Sequence, residues 1–150
     1  MSVVPRQRSA VIMDTGPLVA LINEKDSYHT SCVAWLESAL GRRRPLVIPI
    51  PVITEVCYLL STTAGSAYEA RFLEELAQVP SAFILFTPGR EDLGRMGALV
   101  RKYSDLPLGS TDACVIATAE RFKTNEIATI DDRMVKVVRV NDRDPIVAVP

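Results

Sequence analysis

The sequence predicts an α/β protein: a three-layer α/β/α sandwich with a central, mostly parallel sheet. Three observations carry that expectation. Short apolar runs without polar alternation recur along the chain, the pattern of strands buried on both faces. Segments of helical periodicity separate them, as the crossovers of a parallel sheet require. The length of 150 residues suits one domain that buries roughly 70% of its unfolded surface.

Residues 1–9 are polar, carry Pro5 and read as an irregular lead-in, so a single domain is expected over 10–150. The run 10–13 (Ala-Val-Ile-Met) is a buried strand. Thr15-Gly16-Pro17 then turns the chain, and Pro17 suits the first position of a helix to about Asn23. Cys32, Val33, Leu36 and Leu40 fall at helical spacing, placing a second helix over 29–40. After the charged loop Arg42-Arg43-Arg44, residues 46–48 form a strand and Pro51 opens a helix to about Thr62. Residues 67–77 are helical, 82–86 a strand, and 91–103 another amphipathic helix. Asp105-Leu106-Pro107-Leu108-Gly109 is a loop, and Ser110 or Thr111 is expected to cap a helix ending near Phe122. Strands over 127–130 and 146–149 complete the pattern. No repeat, low-complexity tract or linker divides it.

The charge balance, 17 Lys+Arg against 18 Asp+Glu, excludes a uniformly basic nucleic-acid coat. Any polyanion must meet a local patch, for which Arg42-Arg43-Arg44, Arg101-Lys102 and Arg121 with Lys123 are the candidates, although each also suits a solvated face. Cys32, Cys57 and Cys114 are odd in number and far apart, as expected for buried thiols in a reducing compartment. No stretch resembles a secretory signal, and the most apolar segment, 46–53, is interrupted by Pro49 and Pro51; a soluble, cytoplasmic protein with no membrane partner is expected. His29 is the only histidine, which excludes two-histidine and HExxH chemistry within one subunit and leaves catalysis to carboxylates.

Four carboxylates stand out. Asp14 ends the first strand and Asp131 the 127–130 strand. Glu55 is expected in the first turn after the second strand, and Asp112 in the first turn of the helix that leads down to the 127–130 strand. In a parallel sheet all four positions lie at the edge where strands end and helices begin. Glu55 shares a helix face with Val52, Val56 and Leu59, and Asp112 heads the stripe Val115, Ile116, Ala119, so both point inward. Taken singly, each acid has an ordinary reading as a dipole partner, an Asx turn or a solvated loop residue. Four gathered at one rim are costly unless a cation neutralises them. Hard divalent ions prefer such oxygen donors, and an ion held there would polarise a phosphoryl oxygen, activate a water and steady a leaving oxygen. Metal-assisted phosphodiester cleavage is the expected chemistry, with Thr15, Ser110 and Thr129 as candidate supporting donors.

The residues that carry these features also resemble a known family. Val11-Ile12-Met13-Asp14-Thr15-Gly16-Pro17-Leu18-Val19-Ala20-Leu21 is similar to the opening of PIN-domain ribonucleases, especially VapC-type toxins of type II toxin–antitoxin pairs. Thr54-Glu55-Val56 resembles the family's internal glutamate motif. Tyr103-Ser104-Asp105-Leu106-Pro107-Leu108 leads into Asp112-Ala113-Cys114-Val115-Ile116-Ala117, like its third acid, and Ile127-Ala128-Thr129-Ile130-Asp131 is like the strand ending in its fourth. The similarity runs from Ala10 onward. It departs after the last acid, where Asp132-Arg133-Met134-Val135 replaces an arginine-rich turn and phenylalanine, and in the residues preceding Ala10. The resemblance implies a PIN-like fold and a Mg²⁺-dependent endoribonuclease, with Mn²⁺ as alternative cofactor. Asp14 and Asp112 would be its primary metal ligands, completed by Glu55 and Asp131. It further implies an RNA substrate, a homodimer, and a cognate antitoxin whose tail occupies the acidic groove. The other reading is a non-catalytic PIN-like module whose acids bind metal or a partner. An aspartyl-phosphate enzyme is disfavoured because Asp14-Thr15-Gly16 lacks a second aspartate two positions on.

Overall fold

Each of the five apolar runs becomes a strand of one sheet. The structure, a computed structural model, describes residues 9–150; the lead-in expected over 1–9 lies outside the described residues apart from Ser9. The first strands are β1 (Val11–Met13), β2 (Leu46–Pro49), β3 (Phe83–Phe86) and β4 (Glu126–Ala128). A small antiparallel ribbon of β5 (Arg139–Val140) and β6 (Asp144–Pro145) precedes the last strand, β7 (Val147–Val149). The sheet order is β3-β2-β1-β4-β7 and every pairing in it is parallel. Ile12 sits in register with Val47 on one side and Ile127 on the other, so the centre of the sheet is wholly aliphatic.

The helices are α1 (Thr15–Ile22), α2 (His29–Gly41), α3 (Ile50–Thr63), α4 (Ser66–Ala77), α5 (Arg90–Lys102), α6 (Ser110–Arg121) and α7 (Asp132–Val137). From β1 the chain steps to β2 and then β3 in one direction, and from β3 it returns past β1 to β4 and β7 in the other. Right-handed crossovers therefore assign α1–α4 to one face and α5–α7 to the opposite face. Within each face the helix contacts agree: α1 packs on α2 and α3, α3 on α4, and α5 on α6, while α3 also meets α6 from the opposite face. Helix α6 is buried continuously from Ala113 to Ala119, because it lies between the sheet and α5. Its Ile116 joins Ile12, Ile48, Ile127 and Leu99 in a core with no exposed surface. No helix among the described residues is long and apolar enough to cross a membrane.

Several expectations need correction. Gly109, not Ser110 or Thr111, occupies the N-cap of α6, and no side chain caps that helix. Helix α3 starts at Ile50, one residue before Pro51, so Glu55 falls in its second turn and its first turn holds no acid. Helix α7 and the β5–β6 ribbon are additional. The basic candidates Arg42-Arg43-Arg44 precede β2, and Arg121 and Lys123 precede β4, so they lie at the sheet edge opposite the strand ends. Arg44 there binds Glu126 at 2.7 Å and the Ser9 carbonyl at 2.9 Å, and Arg121 binds Asp92 at 2.9 Å. These are structural ties.

His29 donates from Nδ1 to the Ala20 carbonyl at 2.7 Å, a packing role that joins α2 to α1. All three cysteines are free thiols. On the other face, Arg95 grips Glu120 at 2.8 Å and Asp142 at 3.1 Å, while Glu120 also accepts the Asn141 amide at 2.8 Å. Glu120→Ala leaves that amide and much of the guanidinium unpaired. A loss of about 2 kcal/mol is expected, measured by urea denaturation; an unchanged midpoint would show that α5, α6 and the 141–142 turn do not depend on this network.

Candidate active site

The strand order reverses direction between β1 and β4, which opens a crevice beyond their carboxyl ends. Asp14 stands at its floor. Its backbone amide continues the sheet by donating to the Ala128 carbonyl at 2.9 Å, and only 6% of the residue is exposed. Thr129 holds the same position on β4, its amide bonded to the Val149 carbonyl at 3.0 Å. The Thr129 hydroxyl donates to Asp14 Oδ2 at 2.8 Å and accepts the Asp131 amide at 3.1 Å. One side chain thus ties the ends of the two central strands together. Gly16 lets the chain after Asp14 pass close to this loop, since a Cβ there would come within 2.5 Å of Ile130 Cγ1.

Asp131 lies beyond the strand end, not on it, because β4 stops at Ala128. It is the N-cap of α7, where Oδ1 accepts the amides of Arg133 and Met134, each at 3.1 Å. Asp112 is half-buried in the first turn of α6. Glu55 reaches the rim from α3, half-buried beside the stripe Val52, Val56, Leu60, and makes no hydrogen bond among the described residues.

Electrostatics shows that these acids share one environment. Burial pushes the Asp112 carboxyl up to about 6, with further upward pressure from Asp14, Asp131 and Glu55; a backbone hydrogen bond at Gly109 opposes it. Burial likewise raises Asp14, against the lowering bonds at Thr129 and Thr15, and the charges of Glu55 and Asp131 add to the rise. Beside Asp14, Thr15 Oγ1 is buried without a hydrogen-bond partner, and the residue is only 5% exposed. A buried hydroxyl of this kind ordinarily has a partner.

The donors fit a hard divalent cation in kind: all are oxygen, two are raised by burial and then by the charges of their neighbours, and a neighbouring hydroxyl is unused. Their spacing is not that of a closed cage. Among the described residues, no three His, Cys, Asp or Glu side chains converge tightly enough to hold an ion as they stand. Thr129 fixes Asp14 and the helix cap fixes Asp131, so closing around an ion falls to Asp112 and Glu55, the acids with fewer ties.

The four predicted acids therefore meet at one rim, as does Thr129, while Ser110 is exposed and makes no hydrogen bond among the described residues. Sequence reasoning missed the cation at this rim. Arg133 lines a small cleft together with Asp112 and Asp131. Reading Asp131 as an N-cap would have revealed α7 and thereby the placement of Arg133.

Known proteins share these features. The sequence model of the PIN domain matches residues 11–140. Ribonuclease VapC26 of Mycobacterium tuberculosis is 30% identical over 129 residues, which cover 86% of this chain and 92% of that protein. Among solved structures, VapC20 of M. tuberculosis, a sarcin–ricin loop cleaving toxin, superposes with a TM-score of 0.72 at 13% identity, covering 91% of this chain and all of that one. VapBC2 from Rickettsia felis, bound to a DNA fragment from its promoter, gives a TM-score of 0.68 at 15% identity over 94% of this chain and 99% of the matched one. Sequence and fold lead to one family: the chain belongs to the PIN domain proteins.

Proposed function

We propose that this protein is a divalent-metal-dependent endoribonuclease that acts as the toxin of a toxin–antitoxin pair, with Mg²⁺ as its ion and Mn²⁺ as an effective substitute. The observation that carries the reading is the gathering of Asp14, Glu55, Asp112 and Asp131 at the switch point, where burial and repulsion raise Asp14 and Asp112. Asp14 and Asp112 hold the ion, and Glu55 and Asp131 complete the site directly or through water. A bound hard cation supplies polarisation of the phosphoryl oxygen and a lowered pKa for the attacking water.

The chain's own groups supply the rest. Thr129 keeps one Asp14 oxygen engaged and so presents the other to the crevice. Glu55, without other bonds, is the carboxylate able to turn toward the attacking water and orient it. Asp131 has Oδ1 committed to the α7 cap, which leaves Oδ2 for the site. Water attack places no demand on a ribose 2′-hydroxyl, so the choice of RNA rests on likeness to ribonuclease VapC26. The fold shared with VapBC2 from Rickettsia felis supports a cognate antitoxin, and a homodimer rests on the sequence resemblance alone. An apolar groove of about 250 Å³ between α1, α2 and α4, lined by Leu18, Leu36, Phe72 and Leu76, suits the apolar face of a partner segment.

The reading is tested by incubating purified protein with an end-labelled mixed RNA pool in Mg²⁺, Mn²⁺ or EDTA. Cleavage in either metal and none in EDTA is expected. Cleavage that persists undiminished in EDTA would remove the metal from the reaction, and a folded protein inert in both metals would favour the binding-module alternative.

Thr129→Val tests the support of Asp14. It removes a hydrogen bond that favours the ionised carboxylate and leaves the Asp131 amide without its acceptor. Mg²⁺ affinity and cleavage are each expected to fall about 10–100-fold, by calorimetric titration and RNA assay; equal affinities in the two proteins would show Thr129 to be a strand-end staple only.

A further inference from the structure

The acid rim attracts cations, but its substrate is a polyanion, so some protein cation must meet the phosphates there. Of the basic runs apparent in the sequence, Arg42-Arg43-Arg44, Arg121 and Lys123 lie at the far edge of the sheet and Lys102 is bound to Asp142 at 2.8 Å, while Arg101 is exposed on α5 and does not line the cleft of Asp112 and Asp131. Arg133 is differently placed. In the first turn of α7, it lines a cleft of about 50 Å³ with Leu106, Pro107, Asp112, Asp131 and Met134, and it is the cation among those lining residues.

Its bonding also differs from that of the arginines that the fold uses as ties, though Arg139 likewise donates only to backbone carbonyls, those of Lys136 and Val138. Arg44, Arg95, Arg121 and Arg143 all pair with carboxylates. Arg133 forms no ion pair among the described residues, although two acids line its own cleft. Instead, Nη2 donates to the Leu106 carbonyl, a neutral acceptor in the loop before α6. That bond orients the guanidinium without neutralising it. Nε and Nη1 make no hydrogen bond among the described residues, so part of the fork remains available. A guanidinium fork matches two phosphate oxygens as an ammonium does not.

We propose that Arg133 is a substrate-phosphate ligand: its fork takes non-bridging oxygens of an RNA backbone phosphate beside Asp112 and Asp131, while the Leu106 carbonyl holds it in place. This deepens the nuclease reading and rests on it. Fixing a phosphate there sets the register of the strand relative to the carboxylates. Arginine at this point also offsets the repulsion that the acid rim imposes on an incoming strand.

The test is binding of a fluorescent, mixed-sequence single-stranded RNA 12-mer to full-length protein by anisotropy, across a salt series without divalent metal. Asp14→Asn serves as the parent, compared with the same chain carrying Arg133→Ala or Arg133→Lys. Arg133→Ala is expected to weaken binding about tenfold or more and to lower the slope of log affinity against log salt by about 0.7, one phosphate contact on a single strand. Arg133→Lys should keep that slope because the charge remains. In the otherwise native chain, however, it should lower kcat, because the fork is lost. An unchanged salt slope in Arg133→Ala, with only a lower melting temperature, would overturn the proposal and reduce Arg133 to a strut for the Leu106 loop. A folded parent that binds no RNA would sink the nuclease reading, and this proposal with it. A parent that binds normally beside an indistinguishable Arg133→Ala variant would sink the proposal alone.

Discussion

Asp14→Asn is expected to lower RNA cleavage by more than about 10³-fold while making the metal-free protein more stable. The two effects have one cause. Asp14 is 6% exposed at the end of the central strand, and burial is the largest influence on its carboxyl, followed by its bonds at Thr129 and Thr15 and by repulsion from Glu55 and Asp131. Asparagine keeps the shape and still offers the Thr129 hydroxyl an acceptor, but it carries no charge to desolvate or repel. Each kcal/mol recovered should raise Tm by roughly 3 °C in EDTA.

The same substitution removes an anionic ligand from the proposed metal site, and the loss should exceed the roughly 10–100-fold typical of supporting groups. Mg²⁺ supplies a second readout independent of catalysis. An ion that binds only the folded state at 100 times its Kd stabilises it by about 2.7 kcal/mol, and this increment should appear in the native protein and shrink sharply in the variant. Full activity in a folded Asp14→Asn protein would take Asp14 out of the mechanism. A lower Tm in EDTA would mean that the buried charge is stabilising the fold.

The fold was legible where physics is local and repetitive. The runs around Ile12, Val47, Ile84, Ile127 and Val147 are apolar without alternation, and all five became strands of a parallel sheet. The rim was legible for the same reason, because strand ends and helix starts in such a sheet meet at one edge. What escaped notice was short or depended on partners. Helix α7 spans six residues, and its Val135 and Val137 are poor helix formers. It exists because Asp131 caps it and Met134 is buried beneath it. The β5–β6 ribbon is two residues per strand, too short to show any period.

The basic patches misled because charge runs are visible in sequence while their partners are not. Glu126, which holds Arg44, lies 82 residues away. Arg133 was visible as a residue but not as a site group, since only the α7 cap brings it beside Asp112. The carboxylates carry the opposite lesson. Their gathering was legible, but Asp131's double use as helix cap and rim acid required coordinates.

Lowering the pH should strengthen the metal-free protein and weaken the metal-bound one. Asp112 is pushed up to about 6 by burial, then by Asp14, Asp131 and Glu55. Unfolded, an aspartate titrates near 3.9. Between those values the native state binds more protons than the unfolded state, so stability in EDTA falls as pH rises and grows as pH drops from 7 toward 5. Asp14, also raised, pulls in the same direction. The carboxyls held below their ordinary value, such as Asp142 bonded to Lys102 and Arg95, oppose this only in more acidic solution, where they begin to protonate. With Mg²⁺ the sign reverses, because protons and the ion compete for the same oxygens. The Mg²⁺-induced rise in Tm should shrink as pH falls through about 6, and cleavage should fall at least tenfold per unit below that point, since the acids titrate as a coupled set. Calorimetric scans from pH 5 to 8, in Mg²⁺ and in EDTA, measure both curves. Asp112→Asn should flatten the EDTA curve. A native protein that loses stability in EDTA between pH 7 and 5 would show that burial and repulsion do not hold its rim acids above their ordinary range.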